Sequence, residues 1–561
     1  MPTGYVLGVN IGFHDSSAAL LRDGALCALI EQERLSRRKH AVGQPPAQAV
    51  AACLAHEGIG PQDLDAVAIG WDFRALPLGR NKRFSPEGLR AMLFPDAEGL
   101  EMPPVRWIPH HVAHAASAYY SAGVPDAAVL VIDGAGESQA TSIGSALDGE
   151  ISILREWPVT QSLGFFYNAA AEWAGLGYWG TGKLMGLAAY GRPGPGMPLR
   201  AEQGGYELLH DEAAKKVGVR NSAAGPLLAY YPMVAEAVKP AFARVFPFAE
   251  REGEEPIAYA DFAASVQQAL EEAVLELAAE LRRRVDSPVL TLSGGVAMNC
   301  TMVGRLVRSG LYDSIYVPPV PTDAGVSLGA ALVVAREGER FEPTLIDHAY
   351  WGQDVTPAST DAAVAEAGLF AKRLELPELA AFVAGRIAAG DVVAWARGRG
   401  EIGQRALGTR SILADPRDRR NLERLNVIKG REMWRPVAPS ILAEHAGTLI
   451  EGPLMDPSRF MLAAAPVRRE AWTSVPAVTH VDGSARPQTV HRATNPAYWA
   501  LIERFRQATG VPAVVNTSFN LAGEPIVNSA ADAVSTFLRG KELDLLVLGE
   551  SVVVRSEGDL P

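Results

Sequence analysis

Apolar runs that end abruptly on glycine and an acid or amide recur along this chain, and they set its expected architecture. Tyr5-Val-Leu-Gly-Val-Asn-Ile-Gly-Phe-His-Asp-Ser-Ser-Ala-Ala-Leu20 reads as a buried strand, a polar turn and a second strand continuing through residues 26–30. Residues 64–71 form another strand of the same type. Residues 127–132 (Ala-Ala-Val-Leu-Val-Ile) form a further one and deliver Asp133 at its carboxyl end, where α/β folds place their chemistry. Residues 151–157 follow as a hairpin strand. Pro288-Val-Leu-Thr-Leu-Ser-Gly-Gly-Val-Ala-Met-Asn299 reads as strand, Gly-Gly turn and helix start. Residues 314–331 read as a strand, an acidic turn at Asp323 and a helix of small residues.

Helical spacing predicts helices over residues 46–56 and 259–285, and one that begins at Pro109 and carries the small residues Ala115 to Ala118. The character changes near residue 345. Helices over 361–369 and 376–389 precede a glycine- and arginine-rich stretch, a buried strand at 511–520, and a helix with Ser529 near its start. The expectation is an α/β protein of two domains, 1–344 and 345–561. Residues 192–255, Gly/Pro-rich at first and then mixed, read as an insertion suited to a lid or an acceptor wall. Similar acidic turns in two halves of the first domain suggest a duplicated nucleotide-clamping fold, inferred from layout because neither half repeats the other in sequence.

Composition narrows the classes. At 561 residues the chain exceeds a single core, and 48% hydrophobic with 21% charged residues is ordinary for a globular protein. A net charge of −12 argues against a general nucleic-acid or membrane-surface binder. The three cysteines (Cys27, Cys53, Cys300) lie far apart with no CxxC spacing, which fits a reducing cytosol. The start has no basic region followed by an apolar stretch, and no run reaches the ~18 apolar residues of a membrane span.

Candidate chemistry is concentrated at a few places. His110 and His114 stand four apart on one helix, so their imidazoles share a face and offer half of a divalent-metal site; capping the helix is the plainer alternative. His14 and Asp15 lie on the first turn. Gly180-Thr-Gly-Lys183 resembles a phosphate loop without the full spacing. Arg397, Arg399, Arg405, Arg410, Lys429, Arg431, Arg435 and Arg486 accumulate in an otherwise acidic chain, interleaved with Gly, Trp and Pro. They suit a lined pocket for small, highly charged anions, with structural arginine–acid pairs as the alternative. Arg37, Arg38 and Lys39 could also face an anion.

Several of these stretches together resemble the O-carbamoyltransferases of the antibiotic-tailoring and nodulation-factor type. In the first half they are Phe13-His-Asp-Ser-Ser-Ala-Ala, His110-His-Val-Ala-His-Ala-Ala-Ser-Ala-Tyr-Tyr, Asp133-Gly-Ala-Gly-Glu, Gly182-Lys-Leu-Met-Gly-Leu-Ala-Ala-Tyr-Gly, Ser293-Gly-Gly-Val-Ala-Met-Asn and Asp323-Ala-Gly-Val-Ser-Leu-Gly. In the second half they are Arg405-Ala-Leu-Gly-Thr-Arg-Ser, Lys429-Gly-Arg-Glu-Met-Trp-Arg-Pro-Val-Ala-Pro-Ser, Arg486-Pro-Gln-Thr-Val and Asn516-Thr-Ser-Phe-Asn. One departure is Gln404, where the family usually has proline.

The resemblance implies a duplicated actin-like ATPase domain followed by a smaller α/β domain of the threonylcarbamoyl-adenylate synthase type. It implies that the second domain makes carbamoyl adenylate from carbamoyl phosphate and ATP, and that the first moves the carbamoyl group onto a small-molecule hydroxyl. By the same resemblance His110, His114, Asp133 and Asp323 would hold a divalent metal, iron(II) first and magnesium, manganese or zinc as alternatives. His14 would be the base or orienting group. Arg405, Lys429, Arg435, Arg486, Asn516 and Ser529 would bind carbamoyl phosphate and the nucleotide phosphates. Gly134, Gly136, Lys183, Ser293, Gly294, Gly295, Val296 and Asn299 are the candidate nucleotide contacts. The expected partner is a small hydroxylated acceptor, with no nucleic acid or membrane and with a homodimer as one arrangement. A threonylcarbamoyl transferase acting on tRNA, and an actin-like ATPase or sugar kinase, are the competing readings.

Overall fold

The computed structural model describes residues 4–75, 82–209, 226–246, 255–338, 341 and 344–561. The chain divides into two compact units, Met1–Gln32 with Gly43–Ile346, and Glu33–Val42 with Asp347–Pro561. The short segment Glu33–Val42 therefore packs with the carboxyl-terminal unit although it lies near the start of the chain.

The first unit holds two five-stranded sheets. One is built from β1 (Tyr5–Asn10), β2 (Ser17–Arg22), β3 (Ala25–Glu31), β4 (Ala66–Ile69) and β5 (Val105–Trp107), in the order β3-β2-β1-β4-β5. The other is built from β6 (Ala127–Ile132), β7 (Gln139–Leu147), β8 (Glu150–Pro158), β9 (Val289–Ser293) and β10 (Ser314–Tyr316), in the order β8-β7-β6-β9-β10. In both, an antiparallel three-strand meander is followed by two parallel strands. Equal order and equal strand directions make this a duplicated, actin-like domain.

Two details differ from the sequence expectation. The expected second strand is two strands, because Asp23 (φ 51°) and Gly24 (φ 81°) turn the chain between β2 and β3. Asp323 does not end a strand: β10 stops at Tyr316, and Asp323 opens a 3-10 turn at the head of a helix.

The histidine helix α1 (His110–Tyr119) lies against the helix Val326–Ala335. Their closeness depends on glycine. A Cβ on Gly329 would come within 1.8 Å of the Ala113 carbonyl, and one on Gly8 of β1 within 1.9 Å of the Ser327 carbonyl. The helix Val326–Ala335 is thus gripped from two sides at backbone distance, which fixes where Asp323 enters.

In the second unit an eight-stranded mixed sheet carries the core, with Trp395, Tyr498, Phe505, Phe519 and Phe537 buried against it. Its central strands are apolar on both faces, as expected where helices cover both sides. Among the described residues no helix is long and apolar enough to cross a membrane.

Candidate active site

Four side chains from three separate places in the chain meet in the first unit. His110 and His114 come from α1, Asp133 from the turn after β6, and Asp323 from the 3-10 turn before the helix Val326–Ala335. All four are buried, and one ligand atom from each lies within 4.8 Å of the others. The two Nε2 atoms are 3.1 Å apart. His110 Nε2 is 3.5 Å from Asp133 Oδ2 and 3.6 Å from Asp323 Oδ1; His114 Nε2 is 3.9 Å and 3.6 Å from the same oxygens. Bond lengths of about 2.0–2.2 Å to a common ion would separate adjacent ligand atoms by roughly 3–3.6 Å, so the quartet fits one divalent cation.

The surroundings prepare this set. His110 Nδ1 is 3.0 Å from the Gly70 carbonyl, which can only accept, so that ring donates from Nδ1 and turns Nε2 to the centre. Asp133 Oδ1 accepts the Gly295 N–H at 2.7 Å, leaving Oδ2 for the centre. Ser293 Oγ lies 3.3 Å from His114 Nδ1, so this candidate nucleotide residue buttresses the histidine in the structure. Glu137 accepts the His110 N–H and also the Asp72 N–H, placing a carboxylate at the amino terminus of α1. Trp71 packs on His110 with ring centroids 3.8 Å apart and the planes tilted by 31°. Burial opposes protonation of His110, but Asp323 and Asp133 outweigh it and raise its pKa to about 10. Burial raises Asp323, but His110, His114 and His14 outweigh it and hold its carboxyl well below the usual carboxylate range. His111, its ring 6.3 Å from that of His110 and 6.4 Å from that of His114, is pushed down to about 3 by burial and by these two neighbours.

His14 stands apart from the quartet but within reach of its charge. Its Nδ1 is 3.2 Å from Asp15 Oδ2, and about a third of its side chain is exposed. Burial works against protonation, but the Asp15 hydrogen bond and charge, with Asp323 and Asp133 behind them, raise His14 to about 9.

The remaining candidates of this unit divide by what they touch. Gly134 and Gly136 form the turn after Asp133, with Phe165 against the first and His111 against the second. Gly294 (φ +94°) has no room for a Cβ, which would meet the Ile132 carbonyl at 2.2 Å. Val296 is buried. Asn299 caps the next helix and exchanges hydrogen bonds with Gln267. Lys183 lies on the helix Thr181–Leu187, beside an open, exposed Gly182.

The arginines of the second unit fall into two groups. Arg410 is wholly buried and donates to the carbonyls of Asn528, Gly398, Thr409 and Gln353 at 2.9–3.0 Å; burial lowers it to about 10. Arg399 likewise bonds the carbonyls of Gly352 and Trp351. These two organise loops. Lys429, Arg431, Arg435 and Arg486 instead repel one another. Burial holds Lys429 well below its ordinary value, helped by Arg431, Lys39 and Arg435, and it lowers Arg431 to about 9, helped by Arg435 and Arg486. Close-set cations of this kind suit an anion between them. Arg486 Nε is buried without a hydrogen-bond partner.

Scaffolding residues, among them Glu401, Ser440 and Gln488, which sequence reasoning passed over, hold this cluster. Lys429 Nζ donates to the Ser518 carbonyl (2.6 Å), Ser518 Oγ (3.0 Å), the Asn520 carbonyl (2.7 Å) and Asn520 Oδ1. Asn516, one strand turn away, donates to the Ala406 carbonyl, Ser440 and Gln488. Buried Glu401 accepts the Leu407 and Arg410 N–H groups and the Thr409 hydroxyl, and so shapes the loop bearing Arg405. Arg34 bonds the Gly403 carbonyl of that loop. Ser529 caps the helix Ala530–Arg539 in a reciprocal box with Asp532. The signal for Ser518 and Asn520 was present in the alternating polar residues that close an apolar strand.

The two units carry the two domains of a carbamoyltransferase. The chain belongs to the carbamoyltransferase family: its amino-terminal family domain matches residues 5–75 and 80–332, and the carboxyl-terminal one matches 384–555. It is 37% identical to nodulation protein NolNO of Sinorhizobium fredii over 97% of this chain and 79% of that protein. It is 40% identical to nodulation protein NolO of Bradyrhizobium diazoefficiens, covering 80% and 79% of the two chains. It is 36% identical to the 3'-hydroxymethylcephem-O-carbamoyltransferase of Streptomyces clavuligerus over 52% of this chain and 53% of that one.

Proposed function

We propose that the protein is an ATP-dependent O-carbamoyltransferase whose second unit activates the carbamoyl group and whose first unit delivers it to an alcohol. The observation that carries this reading is the convergence of His110, His114, Asp133 and Asp323 in the same unit as His14.

In the second unit Lys429, Arg431, Arg435 and Arg486 offset the repulsion between carbamoyl phosphate and the ATP polyphosphate, which would be severe in a low-dielectric site. Water releases phosphate from carbamoyl phosphate. The resulting carbamate oxygen attacks the α-phosphorus of ATP, expels pyrophosphate and leaves carbamoyl adenylate. Arg405, held by the Glu401-shaped loop, faces the same charge. Lys429 stays fixed on the acceptors of Ser518 and Asn520 throughout. Adenylation matters because carbamate is a poor electrophile, whereas AMP is a good leaving group.

In the first unit the acceptor hydroxyl has a pKa far above neutrality and needs a base, worth ~10²–10⁴-fold. His14 supplies it: Nδ1–H donates to Asp15, so Nε2 takes the hydroxyl proton as the alcohol oxygen bonds the carbamoyl carbon and AMP departs. Two imidazoles with two carboxylates suit iron(II) better than magnesium, and a divalent ion held there would polarise the carbamoyl carbonyl as a Lewis acid. The backbone N–H of Gly295 and the Gly70 carbonyl keep Asp133 and His110 oriented for that purpose. Similarity to a cephem O-carbamoyltransferase supports a small hydroxylated acceptor.

The test is incubation with ATP, carbamoyl phosphate and a set of hydroxylated small molecules, read by mass spectrometry. The expected result is an alcohol heavier by one carbamoyl group, formed only when ATP is present. Phosphorylated alcohol instead would favour the kinase reading.

A further inference from the structure

One segment of the first unit, residues 293–299, touches two of the four converging side chains and the chain just ahead of a third. Ser293 Oγ lies 3.3 Å from His114 Nδ1, and the Gly295 N–H donates to Asp133 Oδ1 at 2.7 Å. The Gly294 N–H donates to the Pro321 carbonyl at 2.9 Å, shortly before Asp323. The segment is seated without slack: a Cβ on Gly294 would stand 2.2 Å from the Ile132 carbonyl, and one on Gly295 3.0 Å from Asp133 Oδ1. Where this segment sits therefore sets where Asp133 points.

One end of it continues β9, and the other is the 3-10 turn Gly295–Met298 followed by Asn299. Asn299 forms a reciprocal amide pair with Gln267 of the helix Ala260–Arg284. Its Nδ2 donates to Gln267 Oε1 at 2.9 Å, and Gln267 Nε2 donates back to Asn299 Oδ1 at 3.0 Å. Other partners settle how both amides are turned. Gln267 Nε2 also donates to Glu271 Oε1 at 2.8 Å, a carboxylate that Arg305 holds at 2.8 Å, and Gln267 Oε1 also accepts the Tyr167 hydroxyl at 2.7 Å. Asn299 Oδ1 also accepts the Met302 N–H at 3.0 Å. Gln267, Glu271, Asn299 and Tyr167 are all buried. The Gln267 amide thus uses both donors and both acceptor positions inside the fold, with none left for a ligand. Apolar side chains would fill this helix-packed core more simply, whereas a fully satisfied polar network there specifies one geometry.

We propose that Gln267 is a positioning residue for the cation centre. Through Asn299 it holds the turn Gly295–Met298, and the turn holds Asp133 with one oxygen on the Gly295 N–H and the other facing the centre. This rests on the reading of His110, His114, Asp133 and Asp323 as a divalent-cation site, and the experiment separates the two.

The intact metal-free protein is titrated with Co(II), followed by the visible absorption of the bound ion, in wild type, Gln267→Leu, Tyr167→Phe and Tyr312→Phe. The last removes a buried hydrogen bond to the Ala278 carbonyl further along the same helix and serves as the control. Gln267→Leu should raise the Co(II) Kd ~10-fold and change the shape of the absorption bands. Tyr167→Phe leaves the amide pair in place and should give a smaller rise, while Tyr312→Phe should lower Tm with Kd unchanged. Equal Kd and equal spectra in wild type and Gln267→Leu overturn the proposal, whatever happens to Tm, because a loss of stability alone marks a merely structural pair. Should Gln267→Leu fail to fold, Tyr167→Phe decides by the same titration, and an unchanged Kd there overturns it. A wild-type protein that takes up no Co(II) would sink the cation reading. Hydrogen exchange then judges the hold on the turn by itself: faster exchange across residues 293–299 in Gln267→Leu, with Tyr312→Phe like wild type, upholds it, and equal exchange in all three overturns it.

Discussion

The two units treat buried charge in opposite ways. In the first, cationic and anionic groups meet: two imidazoles face two carboxylates at 3.5–3.9 Å, and the contact raises His110 and lowers Asp133 and Asp323. In the second, the cations outnumber the acid beside them, Glu432 lying 3.7 Å from Arg435, and burial together with mutual repulsion drives Lys429 and Arg431 below their ordinary values. The first arrangement can hold a cation because its donor atoms converge. The second can hold an anion because several cations lie close enough to repel one another. One chain therefore carries two electrostatic opposites, suited to a reaction that first joins two anions and then polarises a carbonyl.

The contrast can be broken by substitution. His14→Ala should lower carbamoyl transfer by ~10²–10⁴-fold while pyrophosphate release from ATP and carbamoyl phosphate continues. Both rates are measured by coupled assay, and loss of both together would erase the division between units. Lys429→Ala should slow adenylate formation by ~10²–10³-fold. Supplied carbamoyl adenylate should restore transfer in that variant, and a failed rescue would mean that Lys429 also serves the second step.

Smaller effects sharpen the geometry. Gly329→Ala puts a methyl group 1.8 Å from the Ala113 carbonyl and should cost about 1–3 kcal/mol, seen as a lower Tm, with reduced metal content because α1 must shift. A variant with unchanged Tm would show that the two helices tolerate separation. Asp15→Asn removes the hydrogen bond and charge that raise His14 to about 9. His14 then loses its proton at lower pH, so the rise of transfer rate with pH should begin earlier in the variant. An unmoved or alkaline-shifted profile would remove His14 from the proton-transfer step.

Much of this was legible in sequence where local pattern dictates geometry. The i, i+4 spacing of His110 and His114 placed both rings on one face, and the apolar run before Asp133 placed that carboxylate at a strand end. The long helix Ala260–Arg284 and the strand Ala513–Ser518 fell where periodicity put them. Long-range placement was less visible. Strand β7 was missed because its Gln139-Ala-Thr-Ser-Ile-Gly-Ser-Ala-Leu pattern is small and polar, yet it is almost fully buried between β6 and β8. Arg410 looked like its neighbours in sequence, but only the fold surrounds it with carbonyls. The packing of Glu33–Val42 with the second unit depends on Arg34 and Arg37 reaching carbonyls of Gly403, Pro525 and Ile526, which no local rule reveals. Glu137 stood inside a quoted motif, but its use as a carboxylate cap for α1 needed coordinates.

Identifying the phosphorus products made from ATP and carbamoyl phosphate in the presence of a hydroxylated acceptor tests the division of labour most directly. By ³¹P NMR the wild-type protein should yield AMP, pyrophosphate and inorganic phosphate in step with carbamoylated alcohol. ADP as the nucleotide product, or carbamoylation that proceeds without ATP, would contradict it.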